Sequence, residues 1–123
     1  MWYSVHAIYY FEDKENPEQQ NEFVIWENIF LIHADSAEDA GRKGESRAQQ
    51  DTLGSEDPIT LNAKFVDFRF AGIRKIVECQ DLDIQSGLPV DGTELSYSEF
   101  VIESKEEFEK LVDGEPAEVI YND

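Results

Sequence analysis

From Trp2 to Phe11 the chain reads Trp-Tyr-Ser-Val-His-Ala-Ile-Tyr-Tyr-Phe, a run of aromatic and β-branched types that a polar stretch from Glu12 to Gln20 brings to an end. This composition predicts a strand followed by a loop. Alternate positions place Tyr3, Val5, Ala7, Tyr9 and Phe11 on one face and Trp2, Ser4, His6, Ile8 and Tyr10 on the other. Neither face is plainly polar, so the strand is expected inside a sheet. A second strand, Phe23 to Ala34, has the same two-sided character, and the intervening loop suits an antiparallel hairpin.

The period then changes. Asp35-Ser36-Ala37-Glu38-Asp39 offers an N-cap oxygen followed by acids in the first turn, where carboxylates complement the helix dipole. A helix is expected over about residues 36–50, and at helical spacing its inward stripe is Ala37, Ala40, Gly41, Gly44 and Ala48. All five are small, which implies close packing on a sheet and gives the two glycines a reason to be there.

Leu53 to Pro58 reads as a connector. Ile59 to Cys79 is then a long β-prone run, longer than an ordinary strand, with Ala71-Gly72 as its breaker. A single strand bent at a bulge is the favoured reading, with two strands meeting at a turn as the alternative. Asp81 to Gly92 reads as a loop, Thr93 to Glu103 as a strand, and Ser104-Lys105-Glu106-Glu107 as a capping box opening a short helix over about 105–112. Gly114 ends that helix, and Val119-Ile120-Tyr121 suits an edge strand. Strands are grouped rather than alternating strictly with helices. The expected fold is therefore α+β, a single domain over residues 1–123 with a mainly antiparallel sheet of four to six strands.

Charge adds an asymmetry to this pattern. The 123 residues carry a net charge of −18, divided as −6 over residues 1–35, 0 over 36–75 and −12 over 76–123. Fifteen aromatic residues nonetheless supply material for a core. Such a field disfavours direct binding to DNA or RNA, and no apolar run is long enough to span a membrane. The single cysteine, Cys79, and an N-terminus without a secretory pattern point to a reducing cytoplasm.

Several segments resemble a family of small bacterial proteins known as a domain of unknown function. They are Trp2-Tyr3-Ser4-Val5, Ile29 to Ala40, Phe70-Ala71-Gly72-Ile73 and Asp91-Gly92-Thr93-Glu94-Leu95. In order and spacing they cover most of residues 2–95. Gly41 and Gly44 depart from the family's alanine- and glutamate-rich helix, and the tail after Ser98 resembles an extension. The resemblance implies a small α+β fold and brings no catalytic residues with it.

Candidate chemistry is sparse. His6 and His33, with Glu27, would make a minimal zinc set if the first two strands brought them together, but the sequence lacks a metal-binding spacing. Cys79 lies between Glu78 and Asp81, which disfavour a thiolate. Asp81, Asp83 and Asp91 share a loop whose glycines miss the EF-hand positions. Arg42, Lys43 and Arg47 could bind an anion or an acidic partner, but they read as a solvated helix face, on which Arg42 and Lys43 each stand four residues after an acid, Glu38 and Asp39. Trp2, Trp26 and the tyrosines could line a pocket, but aromatics in the strands of a small domain usually form its core. No catalytic, cofactor or metal residue is therefore named, and no cofactor is expected.

Three function classes follow. The leading one is a non-enzymatic acidic module of inhibitor or immunity type that docks on a basic protein, with Glu12, Asp13, Asp81, Asp83, Glu106, Glu107 and Glu109 as partner-binding residues. The second is a small-ligand protein or enzyme whose cleft carries carboxylates such as Glu27, Asp67 or Glu78. The third is a structural homo-oligomer built by pairing of edge strands.

Overall fold

A computed structural model describes residues 1–54, 58–79 and 91–121. Its elements are β1 (Trp2–Asp13), β2 (Phe23–His33), α1 (Ala37–Asp51), β3 (Ile59–Leu61), β4 (Lys64–Cys79), β5 (Thr93–Ile102), α2 (Lys105–Val112) and β6 (Ile120–Tyr121), with a single 3-10 turn at Pro17–Gln19. The six strands form one sheet in the order β3-β4-β1-β2-β5-β6, and every neighbouring pair is antiparallel. The expected α+β class is thus observed, with six strands, a longer helix and a short C-terminal one.

β1 lies inside the sheet, between β4 and β2, as its two apolar faces require. On one face Tyr3, Val5, Ala7 and Tyr9 join Phe30 and Ile32 of β2 beneath Ala40 and Ala48 of α1. On the other, Ile8 packs with Phe23, Ile25, Phe100, Ile102 and Leu111, the last from α2. Each face thus receives one helix. Ala40, Gly44 and Ala48 are buried in α1 as expected, whereas Ala37 is exposed and Gly41 half-buried. Ser36 caps α1 by accepting from the Asp39 amide at 3.1 Å.

Ser104 caps α2 in the same way, through the Glu107 amide at 3.0 Å. The reciprocal half of the expected capping box is replaced. Glu107 accepts instead from the amide of Glu118 at 2.9 Å and from Lys110 at 3.1 Å, which ties the chain after α2 back onto the helix.

The run from Ile59 to Cys79 is corrected in one respect and observed in another. It is two strands, and the turn falls at Asn62-Ala63 rather than Ala71-Gly72. Both turn residues adopt left-handed φ values, 52° and 64°, the conformation of a tight hairpin turn that normally selects glycine at the second place. Ala63 hides that signal. The longer strand is bent, as expected at Ala71: two register shifts against β1 leave Ala71 and Arg74 as extra residues.

Candidate functional site

α1 ends at Asp51, and beyond its last turn no helix among the described residues covers the sheet face on which it lies. The alternation of β1 brings Phe11 to this face, where Trp26 of β2 and Phe68 of β4 flank it. Phe11 meets Trp26 edge-on at 5.4 Å and Phe68 at 5.1 Å between ring centroids, and Trp26 meets Phe68 at 5.5 Å. Tyr97 of β5 extends the row, 6.0 Å from Trp26. Phe11, Trp26 and Phe68 form an aromatic floor across three strands, and Tyr97 stands beside it toward the β5 edge.

Walls stand on two sides of the floor. Asp51, Thr52 and Gly54 at the end of α1 face Pro58, Ile59 and Leu61 near the β3 hairpin, enclosing a cleft of about 640 Å³. That volume lies within the usual range of ligand-sized clefts. Asp51 accepts from the Tyr9 hydroxyl at 2.9 Å and pairs with Arg47. Burial first, and then this bond to Asp51, push the Tyr9 phenol upward, so it stays protonated. Asp67 is held by Arg69 at 3.2 Å and Lys14 at 3.4 Å. Glu99 accepts from the Trp26 indole N–H at 3.1 Å and fixes that ring. Among the described residues no cation pairs with Glu99. Next to Trp26 in the register, Asn28 is only 8 % exposed, and its buried Oδ1 has no partner among the described residues. An unsatisfied acceptor of this kind costs about 1–3 kcal/mol.

A second polar cluster occupies the α2 side of the sheet. His6 Nδ1 lies 3.4 Å from Glu27, and Arg74, the extra residue of a bulge, donates two bonds to Glu27 at 2.7 and 2.9 Å. Burial pulls the Glu27 carboxyl upward, but the bonds from His6 and Arg74, with their charge, outweigh it and hold it at about 2. His6 and Glu27 do meet, as the zinc set would require. His33, however, lies at the end of β2 against Trp2, 4.9 Å between rings, and Arg74 takes the carboxylate. Among the described residues no group of three His, Cys, Asp or Glu side chains is arranged to hold a metal ion.

The remaining sequence candidates scatter. Glu12 accepts from the Tyr10 hydroxyl and pairs with Arg69. Asp13 accepts from the amides of Glu15 and Asn16 and pairs with Lys64. Glu106 and Glu109 are exposed on α2, whereas Glu107 is tied down as above. Asp81 and Asp83 lie outside the described residues. Asp91 accepts from the His33 amide at 2.8 Å, so it closes the end of β2. Of the expected helix pairs, Arg42 bonds Asp39 one turn away, and Lys43 turns instead to the His33 carbonyl at 2.8 Å. Of the three carboxylates proposed for a cleft, Asp67 lines it, Glu27 is on the opposite face, and Glu78 is exposed at the far end of β4.

In the sequence, Trp26 and Tyr97 read as core aromatics with a pocket as the alternative, while Phe11, Phe68 and Glu99 carry no functional signal. Alternation alone places Tyr9 and Phe11 on one face. It cannot say that α1 stops short of Phe11, which depends on where the helix crosses the sheet. Residues 2–95 match the family described as a domain of unknown function, DUF4288. The chain belongs to the DUF4288 family. No curated protein matches it, and no solved structure does. The DUF4288 match takes in β1 to β4, α1 and the start of β5, so Phe11, Trp26, Asp51 and Phe68 fall within it, while Tyr97, Glu99, α2 and β6 follow it.

Proposed function

We propose that this DUF4288 protein is a non-enzymatic binding module that docks a basic protein, seating a lysine or arginine side chain in the aromatic cleft. One observation supports this reading above the others: the half-exposed Trp26 ring lies beside Tyr97, with the carboxylate of Glu99 fixed against its N–H. Aromatic faces attract cations, and a neighbouring carboxylate adds charge and a hydrogen-bond acceptor. Asp51 and Asp67 are engaged with cations of this chain, which supports recognition over acid-base work.

The wider charge serves the same end. Glu106 and Glu109 on α2, Glu12 and Asp13 at the end of β1, Glu107, and Asp81 and Asp83 in the sequence add to a field of net −18 that draws in a cationic partner and repels nucleic acid. An inhibitor or immunity-type role, blocking a basic enzyme in a reducing cytoplasm, is the form this proposal takes. The test is calorimetric titration with a lysine-rich peptide. Glu99→Gln and Tyr97→Ala, both outside the core, are expected to weaken binding at least about fivefold, as loss of a charge-assisted bond or a cation–π contact predicts. Equal affinity in both variants would reject the cleft as the docking site.

A further inference from the structure

The cleft reaches β5, a strand near one edge of the sheet, at Glu99. β6 pairs with β5 only at Phe100 and Val101, so among the described residues the backbone from Glu94 to Ser98 has no strand on its outer side. The opposite edge, β4 beyond the short β3, also lacks a neighbour among the described residues but is guarded. Two bulges break its line at Ala71 and Arg74, and the chain after α2 lies close to it: a Cβ on Gly114 would stand 3.3 Å from the Arg74 carbonyl oxygen. Bulges and coverage are the usual defences against an added strand.

β5 has less protection. It carries one irregularity, at Leu95, and neither lysine nor proline from Glu94 to Ser98. Leu95 is 51 % exposed and Tyr97 64 %. The register sets Glu94 opposite Phe30 and Glu99 opposite Trp26, so on the α1 face of this edge an exposed tyrosine stands between two carboxylates. On the other face Ser96 and Ser98 are small and exposed.

We infer that the β5 edge takes up an extended basic segment of the partner as an added strand, a binding mode that rests on the reading above and specifies it. At about 3.3 Å per residue the edge from Glu94 to Ser98, unpaired among the described residues, is about 17 Å long, room for roughly five residues. In strand addition the main chain supplies affinity and alternate side chains supply specificity. Side chains on the α1 face would meet Glu94, Tyr97 and Glu99, which select lysine or arginine, while the two serines leave space for apolar groups. Charge argues against a second copy of this chain, because it would bring two sets of these glutamates together on chains of net −18.

The probe is a ten-residue peptide of alternating lysine and valine, used with two derivatives N-methylated at every lysine or at every valine. Each derivative keeps the side chains and removes the amide donors along one edge. The parent is expected to bind at low salt and to slow amide hydrogen exchange within Glu94–Ser98 at least about tenfold, and one derivative is expected to lose about tenfold or more in affinity. Binding of all three alike, or binding without protection of those amides, overturns strand addition and leaves the cleft reading intact. Failure of every peptide to bind overturns both. Protection of the same amides without peptide, with a mass that rises with protein concentration, assigns the edge to a second copy and also overturns the inference.

Discussion

Glu27 shows how a single side chain links a strand irregularity to stability. Because Arg74 is the unpaired residue of a bulge, its side chain reaches across β1 to a carboxylate that the register places opposite Ile8. The Glu27 carboxyl is held at about 2, below its ordinary value of 4.5, so its ionised form stabilises the fold. That contribution is fully present above about pH 4.5 and is lost as the pH falls toward 2. Glu27→Gln is expected to cost about 2 kcal/mol at pH 7, the scale of charge-assisted hydrogen bonds, in urea unfolding followed by tryptophan fluorescence. The gap between wild type and variant should narrow by more than half between about pH 5 and pH 3. A gap that holds constant over that interval would mean that the pair does not shift the carboxyl.

At the scale of elements, the two glycines of α1 separate close approach from mere tolerance. A Cβ on Gly44 would stand 2.5 Å from Cγ1 and 3.2 Å from Cβ of Val5, a buried β-branched side chain with little freedom to turn away. A Cβ on Gly41 would meet only the terminal Cδ1 of Ile76, at 3.0 Å. Alanine gains about 1 kcal/mol over glycine within a helix. Gly44→Ala is therefore expected to be net destabilising by about 1–3 kcal/mol, because the overpacking exceeds that gain, while Gly41→Ala is neutral to about 1 kcal/mol more stable. Thermal unfolding of the two variants checks the contrast, and equal effects would show that the helix does not rest on Val5. The sequence carried the reason for this packing in its stripe of small residues, and it carried both caps, Ser36 and Ser104. It concealed the Asn62-Ala63 turn, because alanine is an unexpected occupant of a left-handed turn. It also concealed the cleft, since Phe11, Trp26 and Phe68 are alike in composition to the aromatics under α1 and differ only in lying past the helix end. Pairing of Arg74 with Glu27 depends on a bulge, which alternation does not reveal.

For the whole molecule, the two helices cover different parts of the two sheet faces, and the aromatic row beyond α1 lies open within a strongly acidic chain. No helix among the described residues is long and apolar enough to cross a membrane. The proposed docking rests on the cleft and on the field around it, and ionic strength should govern its strength, because long-range charge is screened over about 10 Å at 0.1 M salt. Trp26 offers a reporter inside the site once the other tryptophan is removed by Trp2→Phe. The decisive measurement is the emission of Trp26 in that variant during titration with the lysine–valine peptide at low and at high salt. A saturable spectral change, with an affinity that falls about tenfold or more as salt rises and weakens further with Glu99→Gln, is the predicted result. An emission spectrum that does not respond to the peptide at low salt, or a response indifferent to Glu99, would contradict the account.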